Sequence, residues 1–581
     1  MSTPGEASSP TGVHSATTAA DGRPAASRSQ PTQLDADIWI ELFSFVPARA
    51  DRLALYSVSR DLRCWLEPHM WRKTTITVSE ERGNNKLPHS EAPASLCHHV
   101  RHLEVVAPFV KQLSKRCVRP SFGEYSKEYH MKTLPTVNDP QTNPFRASWL
   151  GLDLIPLLEK IPQDQLLTFK FDLGICVPKE IFANDSPLIT RQAKIREISL
   201  ITAADCSFVT HANKARYTDI SLLKSLTKLS WQGIRLAKEV FSIRRTLEAN
   251  HEHLQELLIE MAWVDIYHWK LWDIRHGRPK ESRARRTSVY GIEAMRRPLF
   301  ALHSLSLRKY HFHSGYDFLL ACIDVTRLKS LSLRECSEED RLITPAIDQG
   351  KMLQLENLEW DIESLDLLGD VICASRGLRS LFGGPVVDDD LEIFDVDEAL
   401  QRLFRCEIEC FGLSISSTLP LLGKLIDLGP PVPSWKVLHL RRSACNPEHG
   451  TRDSLLKAFE YCDRMRQQGE DTCIYDVVEQ GASLEEYCLW NLVQFAFGET
   501  GLPKLQVLAY GDFSHGRRHE SRGLIFIRKR PYNSQLSNMD EASAFTEVED
   551  LAEFLAACPK DQLVPKAEHR YMVEPGIITQ R

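Results

Sequence analysis

Residues 302–334 read LHSLSLRKYHFHSGYDFLLACIDVTRLKSLSLR and contain one six-residue pattern twice. Leu302, Leu305 and Leu307 take its first, fourth and sixth places, and Leu328, Leu331 and Leu333 repeat them. In an extended chain the last two project from one side, two residues apart, and the first turns the chain into the strand. Further on come Leu355/Leu358/Trp360, the partial copy Leu378/Leu381 ending at Gly383, and Leu403/Cys406/Ile408. From Leu302 to Leu403 the starts are 26, 27, 23 and 25 residues apart. A near-constant period in this range predicts stacked units, each of which buries its apolar face only against its neighbours.

The pattern extends in both directions. Upstream lie Val100/Leu103/Val105, Leu166/Phe169/Phe171, Ile195/Ile198/Leu200, Leu226/Leu229/Trp231 and Leu254/Leu257/Ile259; downstream lie Trp435/Leu438/Leu440 and Leu505/Leu508/Tyr510. Trp231 and Trp360 stand at template places and are expected in the core. The period is that of leucine-rich repeats. It predicts an α/β fold: an irregular leucine-rich-repeat solenoid over 95–530, a horseshoe of short parallel strands with returning helices such as 337–354 and 363–376. Insertions are expected near 107–150, 262–298 and 443–503, where the register breaks. Residues 524–527 read as a strand. Within 531–581 a helix is expected around 547–557, followed by a loose tail.

Composition bounds the function. Lys+Arg number 71 and Asp+Glu 78, a net charge of −7, which argues against a chain that coats nucleic acid. The 15 cysteines form no CxxC pair, and neither Cys406/Cys410 nor Cys97 with His98 and His99 reaches four zinc ligands. They read as reduced, buried thiols. No apolar run is long enough to span a membrane. The opening MSTPGEASSPTG has no basic, then apolar, leader pattern, so a cytoplasmic or nuclear location is expected. Residues 1–33, rich in Ser, Thr, Ala, Pro and Gly, are expected to be a disordered arm.

At Leu34 the composition changes. LDADIWIELFSFVPARADRLALYSVSRDLRCWLEPHMW carries apolar residues at helical intervals, with Leu34, Ile38, Leu42 and Phe43 on one stripe. Pro47 is expected to stop a first helix, and Asp51 to cap a second with Leu53, Leu55 and Val58 inside. A third helix, around 62–66, is expected to end at Pro68. So small a unit has a marginal core and must pack on something else.

Residues 34–71 resemble the F-box. Leu34, Ile38, Leu42, Phe43, Ser44, Phe45, Val46 and Pro47 fit its first part. Asp51, Leu53, Leu55, Val58 and Arg60 fit the middle, and Met70-Trp71 the end. Asp35, Asp37 and Leu62 stand where the family has proline, glutamate and tryptophan. With the repeats, the chain resembles divergent, fungal-like F-box proteins with leucine-rich repeats. The resemblance implies a three-helix F-box over 34–75 that docks a Skp-type adaptor, and through it a cullin–RING ubiquitin ligase, while the solenoid holds a protein substrate. It implies adaptor contacts at Leu34, Ile38, Leu42, Pro47 and Leu53; Phe43, Val46 and Val58 are assigned instead to holding the helices together. No cofactor, metal, nucleic acid or membrane enters this reading. A non-ligase interaction scaffold, and an enzyme with its site in the insertions, are the other readings.

On the strands, the residues between and just after the template leucines are expected to form an exposed concave face: Ser306, Arg308, Ser332, Arg334, Glu359, Asp361, His439 and Arg441. Arg308 and Arg334 hold equivalent places and should stack in one column. With Arg441 they are the candidate substrate residues, because stacked arginines suit an acidic or phosphorylated ligand. A solvated strand face is the alternative. The basic stretch 283–286 and the acidic run 388–397 read as solvated segments, and Arg528-Lys529-Arg530 is too short to carry nucleic-acid binding alone. His311 and His313 are expected to face solvent. No GxSxG, HExxH, GxxxxGK[ST] or GxGxxG occurs.

Overall fold

The computed structural model describes residues 41, 45–46, 49–77, 94–106, 147–173, 177–178, 180–202, 218–234, 237–261, 297–310, 312, 318–334, 336–361, 365–384, 407–415, 434–442, 461, 464, 484–498, 501–510, 524–528 and 545–547. The chain divides into two compact units, Met1–Met70 and Trp71–Arg581. The expected arm 1–33, the basic stretch 283–286, the acidic run 388–397, and His311 and His313 lie outside the described residues.

In the first unit, Arg49–Val58 and Arg60–Trp71 are helices. Asp51 lies in the first turn of the former rather than capping it, where its carboxylate favours the helix dipole. The second helix runs through Pro68 instead of ending there. Proline forfeits one backbone hydrogen bond, and only three residues of helix follow it, so little helix is at stake. Leu62 and Leu66 form a small core with Leu55, Tyr56, Trp65 and Met70 packed against it. Leu53 and Val58, expected inside, are 40% and 69% exposed, because the helix turns its Leu55–Tyr56 side to that core.

Among the described residues, the second unit is an open α/β layer built on one sheet of fifteen strands, hydrogen-bonded in chain order. They are β1 Lys73–Thr77, β2 His102–Val106, β3 Thr168–Asp172, β4 Glu197–Ile201, β5 Lys228–Ile234, β6 Glu256–Met261, β7 Ser304–Arg308 and β8 Ser330–Arg334. There follow β9 Asn357–Asp361, β10 Ser380–Gly384, β11 Cys410–Ile415, β12 Val437–Arg442, β13 Val507–Tyr510, β14 Leu524–Arg528 and β15 Phe545–Glu547. β1 to β13 pair in parallel; β14 and β15 pair antiparallel. Returning segments include the helices Ala237–Ala249, Asp340–Asp348, Leu365–Ala374 and Leu484–Phe497.

Template residues fill the core. Leu305 and Leu307 are 1% and 0% exposed, Trp231 0% and Trp360 2%. Two registers differ from the sequence reading. The strand after β10 takes Ile408 and Phe411 as its first and fourth places, both buried, not Leu403 and Cys406. The interval there lengthens to thirty residues, from Leu378 to Ile408, which a fixed period hides. The sheet also begins earlier than residue 95: β1 starts inside the expected 34–75 module and runs past its end, with Trp71, Thr74 and Ile76 in the template places and buried. A threonine at the fourth place masked it. At the far end, Phe545–Glu547 is a strand on β14; the rest of the helix expected near 547–557 lies outside the described residues.

Neighbouring units are stitched by a recurring backbone device. The carbonyl just before a strand accepts two successive N–H groups from the next unit, twelve times from Arg72 to Lys436. Two buried amides add to it. Gln192 accepts from the N–H groups of Gln165 and Leu166, at 3.1 and 3.0 Å. Asn250 accepts from Leu226 N–H at 2.8 Å and donates to the Leu223 carbonyl at 2.8 Å. Gly233, at φ +83°, sits where the β5–β6 register slips. A Cβ there would overlap the Thr202 carbonyl oxygen, so both the conformation and the close approach call for glycine.

Candidate functional site

Alternation along the strands gives the sheet a second face, opposite the core that carries the template residues. Over β1–β4 this face carries an alternating chain of charge: Lys73–Glu104 at 2.9 Å, Glu104–Lys170 at 3.5 Å and Lys170–Glu197 at 3.4 Å. Lys228–Glu256 follows at 2.7 Å. Such a chain cancels its own field and offers shape and hydrogen bonds rather than net charge.

Arg308 and Arg334 are paired in register between β7 and β8, so the expected column exists. The expectation that they are exposed is overturned: they are 3% and 8% exposed. Arg334 contacts Glu359 at 2.6 Å, and Glu359 also accepts from the Ser332 hydroxyl at 2.7 Å. Glu260 lies 4.0 Å from Arg308 and 3.9 Å from Lys309. Two adjacent buried cations are tolerated only where carboxylates flank them. Glu359 and Ser332, expected on an exposed face, are buried with them, and so is His439, 1% exposed. Sequence reasoning did not single out Glu260. It follows Ile259 as Arg308 follows Leu307, so reading the same place one strand earlier exposes it.

Beyond β9 the same face carries more apolar residues, beside the buried Ser380 and His439. Phe382 lies under the Arg334 guanidinium, 5.7 Å from ring centroid to carbon, and a Cβ on Gly412 would overlap that ring. Val437, Val507, Ala509 and Ile525 form a second buried cluster, with Cys410 and Ile527 packed on it. Arg441 lies on β12 in register with Ser414; its side chain is outside the described residues.

Of the expected adaptor residues, Leu34, Ile38, Leu42 and Pro47 lie outside the described residues. Leu53 is 40% exposed. Phe45 and Val58 are also exposed, at 74% and 69%, so this small unit presents three large apolar side chains to solvent.

Among the described residues no group of three or more His, Cys, Asp or Glu side chains is placed to hold a metal ion. The seven described cysteines are free; Cys64 and Cys373 are exposed rather than buried. Burial pushes the Cys322 thiol up to about 12, and raises those of Cys97 and Cys410, which disfavours the nucleophilic thiolate. No described helix is long and apolar enough to cross a membrane. Neither a protein-family model nor a curated protein matches this chain.

Proposed function

We propose that the protein is a non-catalytic substrate-recognition subunit of a Skp–cullin–F-box ubiquitin ligase. In this reading residues 34–71 are an F-box that binds the adaptor, and the strand-per-unit sheet is an irregular leucine-rich-repeat solenoid that holds a protein substrate. Its contribution to ubiquitin transfer is proximity: tethering raises the effective concentration of substrate lysines.

The observation that carries the reading is the exposure of Phe45, Leu53 and Val58. All three occupy positions that fit the F-box pattern. A unit whose core, among the described residues, centres on Leu62 and Leu66 does not spend the large apolar side chains of Phe45, Leu53 and Val58 on water without a partner to cover them. The matched charges of the sheet face over β1–β6 suit a protein surface, which is recognised by shape and hydrogen bonds.

The test is a pull-down of the purified chain with a Skp-type adaptor, wild type beside Ile38→Asp and Leu53→Asp, with circular dichroism to check folding. A carboxylate buried in an apolar interface costs several kcal/mol. Binding by wild type and its loss in the folded variants supports the reading. Failure of wild type to bind overturns it and leaves the non-ligase scaffold.

A further inference from the structure

The residue just before each strand, whose carbonyl takes the two N–H groups of the next unit, also places its side chain on the rim at the amino ends of the strands. Because Lys73, His102, Thr168 and Glu197 are mutually in register, so are Arg72, Arg101, Leu167 and Arg196. In the carboxy-terminal half the same column reads Lys329, Glu356, Arg379, Glu409 and Lys436, strictly alternating in sign. There Lys329 meets Glu356 at 3.1 Å and Lys436 meets Glu409 at 2.8 Å. The field of that half is cancelled pair by pair.

The amino-terminal half is built differently. Arg72, Arg101 and Arg196 are all exposed. Among the described residues no carboxylate pairs with them; Arg101 makes one contact, to the Gln165 carbonyl at 3.4 Å. The nearby glutamates are engaged, since Glu104 and Glu197 bind Lys73 and Lys170. Lys194, also exposed, lies two residues before Arg196 and adds to the cationic side. His102, on the neighbouring strand, titrates below the ordinary histidine range chiefly because it is buried; the Arg72 and Lys73 charges act in the same direction, and Glu197 and Glu104 oppose them. At strand spacings of about 4.8 Å, Arg72 to Arg196 spans roughly 14 Å, close to the separation of side chains i and i+4 in an extended peptide.

We propose that this rim, Arg72, Arg101 and Arg196 at the amino ends of β1, β2 and β4, is a docking site for an acidic peptide segment of a protein partner. The guanidinium fork matches carboxylates in pairs. An exposed arginine holds its charge in water at little cost, so it is available to a ligand in a way that the buried Arg308–Arg334 column is not. An acidic peptide is preferred to nucleic acid because Leu167, between Arg101 and Arg196 on the rim, interrupts the continuous cationic track that a phosphodiester backbone follows. The site makes no use of residues 34–70, so it stands or falls independently of adaptor binding.

The test is fluorescence polarisation of a labelled twelve-residue oligoglutamate with the full chain, at low and at physiological salt. Wild type is expected to bind in a salt-sensitive manner. Each exposed ion pair is worth little, so single Arg→Gln variants should weaken binding about threefold and the triple variant R72Q/R101Q/R196Q about thirtyfold. The paired lysines supply the control: K329Q/K436Q, on the same column, should bind as wild type. Glutamine keeps an uncharged polar tip on a flexible stem, and unchanged circular dichroism is required of every variant. The proposal is overturned if wild type does not bind, if the triple variant binds as wild type, or if K329Q/K436Q loses as much. It is overturned equally if a single-stranded oligonucleotide of the same length binds tighter than the peptide and loses binding in the triple variant.

Discussion

Replacing Asn250 by alanine should loosen the stack at one joint. Its side chain accepts from Leu226 N–H at 2.8 Å, donates to the Leu223 carbonyl at 2.8 Å, and donates to the Thr246 carbonyl at 2.7 Å. Leu226 and Leu223 are 0% and 4% exposed, so water does not replace the lost amide. Thr246 keeps the Asn250 backbone N–H at 3.1 Å. Two buried groups are therefore orphaned, at about 1–3 kcal/mol each, giving a loss of about 4 kcal/mol. Stacked units open locally rather than all at once, so the assay is hydrogen exchange read by peptide. Segments within 218–234 should exchange about a thousandfold faster, while 407–415 keeps its protection. Asn250→Asp separates hydrogen bonding from cavity formation. It keeps the acceptor for Leu226 but sets a carboxylate against two carbonyl oxygens. The reasoning is refuted if Asn250→Ala costs less than about 1 kcal/mol, or if protection falls equally across the sheet.

Arg528 donates to four carbonyls, those of Phe497, Ala496, Leu502 and Leu505, and so closes the end of the Leu484–Phe497 helix. Arg528→Lys cannot reproduce the fork, and should lower the urea midpoint by an amount worth about 2 kcal/mol. Glu359→Ala leaves Arg334 buried beside Arg308 without its closest carboxylate, and should cost about 3–5 kcal/mol in denaturant titration; a double variant with Arg334→Met should recover much of it. His102 has a folded-state pKa below its unfolded value, so its contribution to stability is present above about pH 6.5 and is lost as pH falls toward the depressed value. The melting temperature of wild type should therefore drop faster on acidification than that of His102→Gln.

The repeat was legible because burial of the template places depends only on local alternation. Twelve six-residue matches include the turn-in and strand residues of β7, β8 and β9, and those side chains are in the core. The misses share a cause. Thr74 at a leucine place hid β1, and the longer interval to Ile408 hid the frame of β11. Pattern matching sees residue type and period, whereas the sheet enforces hydrogen-bond register and admits a threonine or a longer loop wherever register is kept. In the first unit, the reading of the second helix placed Leu55 correctly on the core and Leu53 and Val58 wrongly, because a helix in so small a module has a narrow buried side.

By itself the sequence determined the alternation of apolar and polar places, hence the strands, the core face and the pairing of Arg308 with Arg334. Which charges are neutralised was decided only by the tertiary structure. Glu359 reaches Arg334 across 25 residues of chain, and Glu260 reaches Arg308 across an insertion that sequence spacing cannot collapse. The same register sets Lys436 against Glu409 and, among the described residues, leaves Arg72, Arg101 and Arg196 without an acid. Coulombic partnership depends on separation in space, and in a stack of parallel strands the nearest neighbour in space is always a full unit away in sequence.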